Sequence, residues 1–151
     1  MYLFLDYLEV LLVALLICIF CDVEQKNRYC LISSVISFLV MEFMQTYDLF
    51  GNEMAYAITI INFIIVSVMK KEIKFYNFIP CIFSQWISVF TSTIVLFFFK
   101  VITNYNIGNI IKLYRIPIIF LARILFFALI VVLNYFKSKI KNTIIEKINI
   151  Y

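Results

Sequence analysis

Arg123 is the residue of this sequence whose chemistry most needs an explanation. It lies in the run IPIIFLARILFFALIVVLNYF, residues 116–136, among side chains that are almost purely hydrocarbon. A guanidinium at the centre of a bilayer-spanning helix costs about 2.5 to 3.5 kcal/mol on insertion scales, and such a residue normally faces a helix bundle or a wet cavity and has a partner. The sequence therefore predicts an acidic partner for Arg123 on another apolar run.

Three acidic residues in other apolar runs are candidates for this partner. Glu42 lies near the end of its run, and Asp6 and Glu9 lie three residues apart in the first run, on one face of a helix. If the runs alternate in direction, all these charges lie in the outer half of the membrane, where depth favours Glu42 first and Glu9 second. Asp6 and Glu9 also fit an interfacial, solvated position.

Two interpretations of this charged group fit the sequence. In the first, an ion pair between Arg123 and an acid sets the register of two helices. In the second, the group lines a polar pocket that opens outward and receives a ligand. Three acids against one base would favour a cationic or peptide ligand over an anion.

Other chemistry is restricted by the residue types. The chain contains no histidine, which excludes Cys-His and Ser-His hydrolysis, His-ligated haem and the usual His-containing zinc sites. Cys18 and Cys21 have the spacing of a metal or redox pair, but they end an apolar run. We interpret them, with Cys30 and Cys81, as packing cysteines. The sequence predicts no catalytic residue, no metal site and no cofactor.

The elements that must position these residues are long apolar runs. The chain is 65% apolar and 15% charged, against about 45–50% and about 25% for a soluble domain. Since lipid tolerates only helices or closed barrels, and no barrel-like alternation is present, each run is interpreted as a helix. The prediction is an all-α transmembrane bundle of about five helices, forming one integral membrane domain over residues 1–151 of a multi-pass cell-membrane protein. The five runs are 2–21, 30–47, 54–69, 77–99 and 116–136.

The connecting segments predict the orientation of this bundle. Nine of the thirteen basic residues fall on one side, in the first and third connections and in the C-terminal tail: Lys26, Arg28, Lys70, Lys71, Lys74, Lys137, Lys139, Lys141 and Lys147. The opposite side carries three, Lys100, Lys112 and Arg115. Because basic residues concentrate in cytoplasmic loops, we expect the N-terminus outside and the C-terminus inside.

Serines at helical spacing mark two faces of the bundle. Ser84, Ser88 and Ser92 repeat every four residues in the fourth run, and Ser33 and Ser37 do so in the second. Small residues at this spacing let helices approach closely and form hydrogen bonds. We interpret both sets as packing faces rather than as a substrate path.

The basic tail, residues 137–151, has two interpretations. Its isoleucines recur at helical spacing with charges between them, so the tail could extend the fifth helix or lie on the membrane surface. Alternatively, it is a basic anchor that frays. The sequence leaves both open.

Two longer stretches resemble a known family. The order of the runs, the loop KKEIKFYNFIP and the segment LYRIPIIFLARILFFALIVVLNYFKSKIK look like the N-terminal membrane sensor region of bacterial GHKL-type histidine kinases. More narrowly, they resemble the quorum-sensing receptors for autoinducing peptides. In that family, several membrane helices precede a dimerisation helix with the phosphorylated histidine and then an ATP-binding domain. The present sequence ends at Tyr151 with neither.

The resemblance implies a sensor half without its kinase part and without enzymatic activity. Its expected partners are the lipid bilayer, an extracellular peptide and a second copy in a homodimer, with no nucleic acid. One alternative is a small transport component, such as the substrate-binding membrane subunit of a vitamin transporter, whose ligand also enters from outside. The other is an accessory membrane protein.

Overall fold

Five α-helices build the chain in the computed structural model, which describes residues 2–47 and 52–148, without the side chains of Tyr2, Asn52 and 141–148. No strand occurs in these residues, and each helix contains a stretch long and apolar enough to span a membrane. This confirms the prediction of five spanning-length helices. The helices are α1 Tyr2–Cys21, α2 Lys26–Thr46, α3 Asn52–Lys70, α4 Phe78–Thr103 and α5 Ile107–Ile148, with a 3₁₀ turn at Phe75–Asn77.

Helix boundaries differ from the apolar runs most clearly in α2 and α5. α2 begins at Lys26 rather than at 30, and α5 covers Ile107–Ile148 rather than 116–136. Hydropathy detects only apolar residues, whereas a helical backbone continues through polar residues beyond the apolar stretch. The tail up to residue 148 therefore extends α5 as helix, and residues 149–151 lie outside the described residues.

Pro117 divides α5 into a short first part and a long second part. Tyr114 has non-helical backbone angles, φ −119° and ψ 19°. Proline lacks the N–H that would bond the carbonyl of Leu113, and its ring crowds that carbonyl. The long part of α5, which carries Arg123, therefore begins immediately before the proline.

Short connections make successive helices antiparallel. The chain has only two glycines, so other residues adopt the left-handed backbone conformation at the helix ends. α3 ends in a Schellman motif, in which Lys71 has φ 54° and the Glu72 N–H donates to the Ser67 carbonyl at 3.1 Å. Asn104, with φ 53°, ends α4 by donating its N–H to the Lys100 carbonyl at 3.0 Å. We call the end where α1 begins the Asp6 end, and the opposite end the Lys70 end.

α1 is the central helix of the bundle. It packs against α2, α4 and α5, while α3 packs against α2 and α4. Ala14, Leu16 and Ile17 of α1 are completely buried. This order explains why a charge on α1 can reach the interior of the bundle.

Candidate functional site

An ion pair between α1 and α5 forms the centre of the candidate site. Nη2 of Arg123 donates to Oε2 of Glu9, and the hydroxyl of Ser88 on α4 donates to Oε1 of the same carboxylate. The Arg123 side chain is 7% exposed and the Glu9 side chain 28% exposed. Glu9 thus joins three helices, and the guanidinium lies deeper in the protein than its acid.

Two of the three guanidinium nitrogens have no acceptor in this arrangement. Nε and Nη1 of Arg123 are buried without a hydrogen-bond partner among the residues that the structure describes. Oε1 of Glu42 is likewise buried and unpaired. Leaving a buried polar atom unpaired costs about 1–3 kcal/mol, and more for a charged group. The Nε and Nη1 donors of Arg123 and the Oε1 acceptor of Glu42 therefore keep hydrogen-bonding capacity that no described residue uses.

Glu42 does not pair with Arg123, so the sequence-based preference for Glu42 was wrong. The depth argument correctly predicted that Glu42 and Arg123 lie at the same end of the bundle. Depth does not determine which helices are neighbours. α5 packs against α1 and α4, whereas α2 packs mainly against α1 and α3. Glu9 on the central helix consequently takes the place expected for Glu42.

Asp6 belongs to the same charged group and lies about one turn before Glu9 on α1. The charges of Glu9, Arg123, Glu42 and Arg115 all act on the Asp6 carboxylate. Arg115 was counted from the sequence only as a base of a connecting segment. Because α5 begins well before its apolar stretch, Arg115 lies on the helix, about two turns before Arg123 and closer to the Asp6 end. The group therefore has three acids and two bases, which reduces the negative charge expected from the sequence.

The α4–α5 hairpin extends beyond α1 at the Asp6 end. From Ser88 to the end of α4 at Thr103 is about 22 Å, whereas from Glu9 to the start of α1 is about 10 Å, at 1.5 Å per residue. A separate apolar cluster holds the hairpin together and includes Val95 and Ile110. The charged group accordingly lies beside the base of a projecting hairpin.

The predicted packing serines occupy different environments. Ser84 and Ser88 are buried, and Ser84 donates to the Pro80 carbonyl at 2.7 Å. Ser92 is only partly buried and donates to the Ser88 carbonyl at 3.0 Å. Of the three serines of α4, Ser84 and Ser88 therefore face the interior of the bundle. Ser88 also has a charged partner, which the spacing of the serines did not predict.

Ser33 and Ser37 belong to a buried polar network between α2 and α3. Asn62 of α3 lies at its centre and accepts hydrogen bonds from the Tyr29 hydroxyl, at 2.9 Å, and from Ser33. Its amide nitrogen donates to Ser37 at 3.2 Å and to the Ile58 carbonyl at 2.9 Å. Asn62 was missed from the sequence, although an asparagine inside an apolar helix is the signal that could have revealed it.

A second set of charges joins α5 to the end of α1 at the Lys70 end of the bundle. Lys137 of α5 forms an ion pair with Asp22 at 2.7 Å and also donates to the Ile19 carbonyl. Outside the spanning stretches, a hydrogen bond from the Lys74 ammonium lowers the pKa of the Glu72 carboxyl. α5 is therefore joined to α1 by the Arg123–Glu9 pair in the first half of α1, and by the bonds of Lys137 to Ile19 and to Asp22 at the other end.

The cysteines lie inside the bundle as free thiols. Cys18 and Cys30 are in contact, with their sulfurs 3.4 Å apart, and Cys81 bonds the Asn77 carbonyl. No group of three or more potential metal ligands occurs among the described residues.

In comparison with known proteins, no family model, no curated protein and no solved structure matches the chain. The coarse class therefore follows from the fold alone, an all-helical chain with five helices of membrane-spanning length.

Proposed function

We propose that the chain is the signal-receiving membrane domain of a bacterial sensor, without enzymatic activity of its own, and that it binds an extracellular peptide at the charged group around Arg123. The domain lies in the cell membrane with the Asp6 end outside and the Lys70 end in the cytoplasm. Binding at the outer end moves α5, which passes the signal to the inner end.

The exterior of the bundle supports the membrane location. Large apolar side chains remain exposed on the helices, such as Leu39, Phe43, Trp86 and Phe97. Soluble monomers rarely expose contiguous apolar patches larger than a few hundred Å². Lipid tails would cover such a surface, while the polar network and the Arg123–Glu9 pair are kept inside.

The unpaired groups at Arg123 and Glu42 support peptide binding most directly. A peptide bond offers a carbonyl acceptor, which Nε and Nη1 of Arg123 lack, and an N–H donor, which Oε1 of Glu42 lacks. The carboxylates of Asp6 and Glu9 add a preference for a ligand with a positive charge. The outward-opening shape of the pocket stays a prediction.

The two links between α1 and α5 support transmission along α5. Arg123 and Lys137 are fourteen residues apart, about 21 Å along the helix, and both bond α1, Arg123 at Glu9 and Lys137 at the Ile19 carbonyl. A ligand that competes for Arg123 weakens the outer link and leaves the inner link as a pivot. The helix beyond Lys137 then moves relative to α1.

The orientation can be tested by single-cysteine labelling in a variant without its four native cysteines. A membrane-impermeant maleimide should label Glu53→Cys in intact cells, because the start of α3 lies outside. It should label Lys74→Cys only after permeabilisation. Both positions are exposed in the fold, so access depends on the membrane alone, and the reverse labelling pattern would overturn the orientation.

Peptide binding can be tested with the low-molecular-mass fraction of culture medium from the organism that carries the gene. This fraction should raise the melting temperature of the purified protein in detergent and should fail to do so after protease digestion. Glu42→Gln, which keeps the side-chain shape and removes the charge, should reduce the shift. No shift with the undigested fraction would contradict the proposal, and a shift that survives digestion would favour a small transported molecule.

A further inference from the structure

A groove of about 770 Å³ lies between α2 and α3 at the Lys70 end, away from the charged group around Arg123. Ile32 and Ile36 of α2 form one wall, and Ile64 and Val68 of α3 form the other. The members of each pair are four residues apart, so each wall is a stripe along one helix. Three of these four side chains are exposed, and the groove is therefore open to the surroundings of the bundle.

Both stripes end in a basic residue at the same end of the bundle. Arg28 lies one turn before Ile32 on α2, and Lys71 lies three residues after Val68, directly after the end of α3. The antiparallel order of the helices brings these two bases together at the rim. The groove thus changes from apolar to cationic along its length, which is about 12 Å from Ile36 to Arg28.

The bases at the rim are available to a ligand to different degrees. Lys70 already bonds the Cys21 carbonyl at 3.0 Å and Glu72 at 3.6 Å. Among the described residues, Arg28 donates a side-chain hydrogen bond only to Gln25, at 3.3 Å, and Lys71 is exposed.

The acids at the rim compensate these bases only in part. Asp22 forms an ion pair with Lys137 at 2.7 Å, and Glu24 is exposed beside the groove. Arg28 and Lys71 together therefore exceed the charge of Glu24, and the rim attracts an anion.

We propose that this groove binds one acidic phospholipid, with an acyl chain between the two apolar stripes and its phosphate between Arg28 and Lys71. Basic pockets between transmembrane helices bind anionic headgroups in this way. A free anion would gain nothing from the isoleucines, and a zwitterionic lipid, whose ammonium offsets its phosphate, would be attracted less strongly by the two bases. The site goes beyond the sensor role and rests only on the membrane location.

Native mass spectrometry of the detergent-purified protein can test this site. The protein is mixed with equal amounts of phosphatidylglycerol and phosphatidylcholine, and we expect one phosphatidylglycerol to stay bound. Replacing Arg28→Gln and Lys71→Asn together should weaken that binding about 25-fold, since each basic charge near an anionic headgroup contributes about fivefold. Asparagine is used at Lys71 because it tolerates the left-handed backbone there.

Two matched controls separate charge from shape. The pair Lys100→Gln and Lys112→Asn removes the same charge at the other end of the bundle and should leave lipid binding unchanged. Val68→Trp keeps both bases but fills the groove, and it should abolish retention, whereas Val89→Trp on α4 should not. Equal retention of the two lipids, displacement by glycerol 3-phosphate, or unchanged binding in the charge variant or in Val68→Trp would each overturn the proposal.

Discussion

Replacing Arg123 by leucine is expected to lower the free energy of unfolding by about 3 kcal/mol. Breaking a buried ion pair by removing one partner costs about 3–5 kcal/mol, because the other charge is left uncompensated. The lower figure applies since the Glu9 side chain keeps 28% exposure and can recover part of its solvation. Reversible unfolding by SDS in mixed micelles would measure the change.

The double variant Glu9→Leu and Arg123→Leu gives the sharper result. Replacing both members of a buried pair by apolar residues is often neutral or stabilising, so the double variant should regain most of the stability lost in Arg123→Leu. Glu42→Gln combined with Arg123→Leu is the matched control, and its effects should add because Glu42 forms no ion pair with Arg123 among the described residues. Additive losses for the Glu9 pair would mean that the two charges do not interact.

Ser88→Leu should cause the next largest loss of stability. Ser88 is almost completely buried between α4 and α1, where a larger side chain forces the helices apart at a cost of about 1–3 kcal/mol. The substitution also removes the hydrogen bond to Glu9, which adds about 0.6 to 1.7 kcal/mol in a membrane. The same SDS titration would report both contributions together.

Ser88→Ala separates the two contributions of this serine. Alanine permits the same close approach of α1 and α4, so only the hydrogen-bond contribution should be lost. If Ser88→Leu were no less stable than Ser88→Ala, the α1–α4 contact would have free space at this position. Close packing would then not be the reason for the buried serine.

The charged group shows how far sequence reasoning reaches in a chain of this kind. A charge in an apolar run predicts a buried partner, because the cost of an unpaired guanidinium in lipid is several kcal/mol. Helix direction and depth then restrict the partners to one end of the bundle. The choice between Glu9 and Glu42 depends on lateral neighbours, and Arg115 joined the group only because α5 begins before its apolar stretch.

The sequence by itself determined the helices of this protein, since five long apolar runs without the alternation of a barrel leave the helix as the conformation that satisfies the backbone hydrogen bonds in apolar surroundings. Only the tertiary structure decided that α1 is central, that Glu9 is the partner of Arg123, and that Asn62 joins α2 to α3. The physical reason is that hydropathy acts on each helix separately, through its contact with the surroundings. Helix order instead follows from contacts between side chains far apart in the chain, which no single run contains.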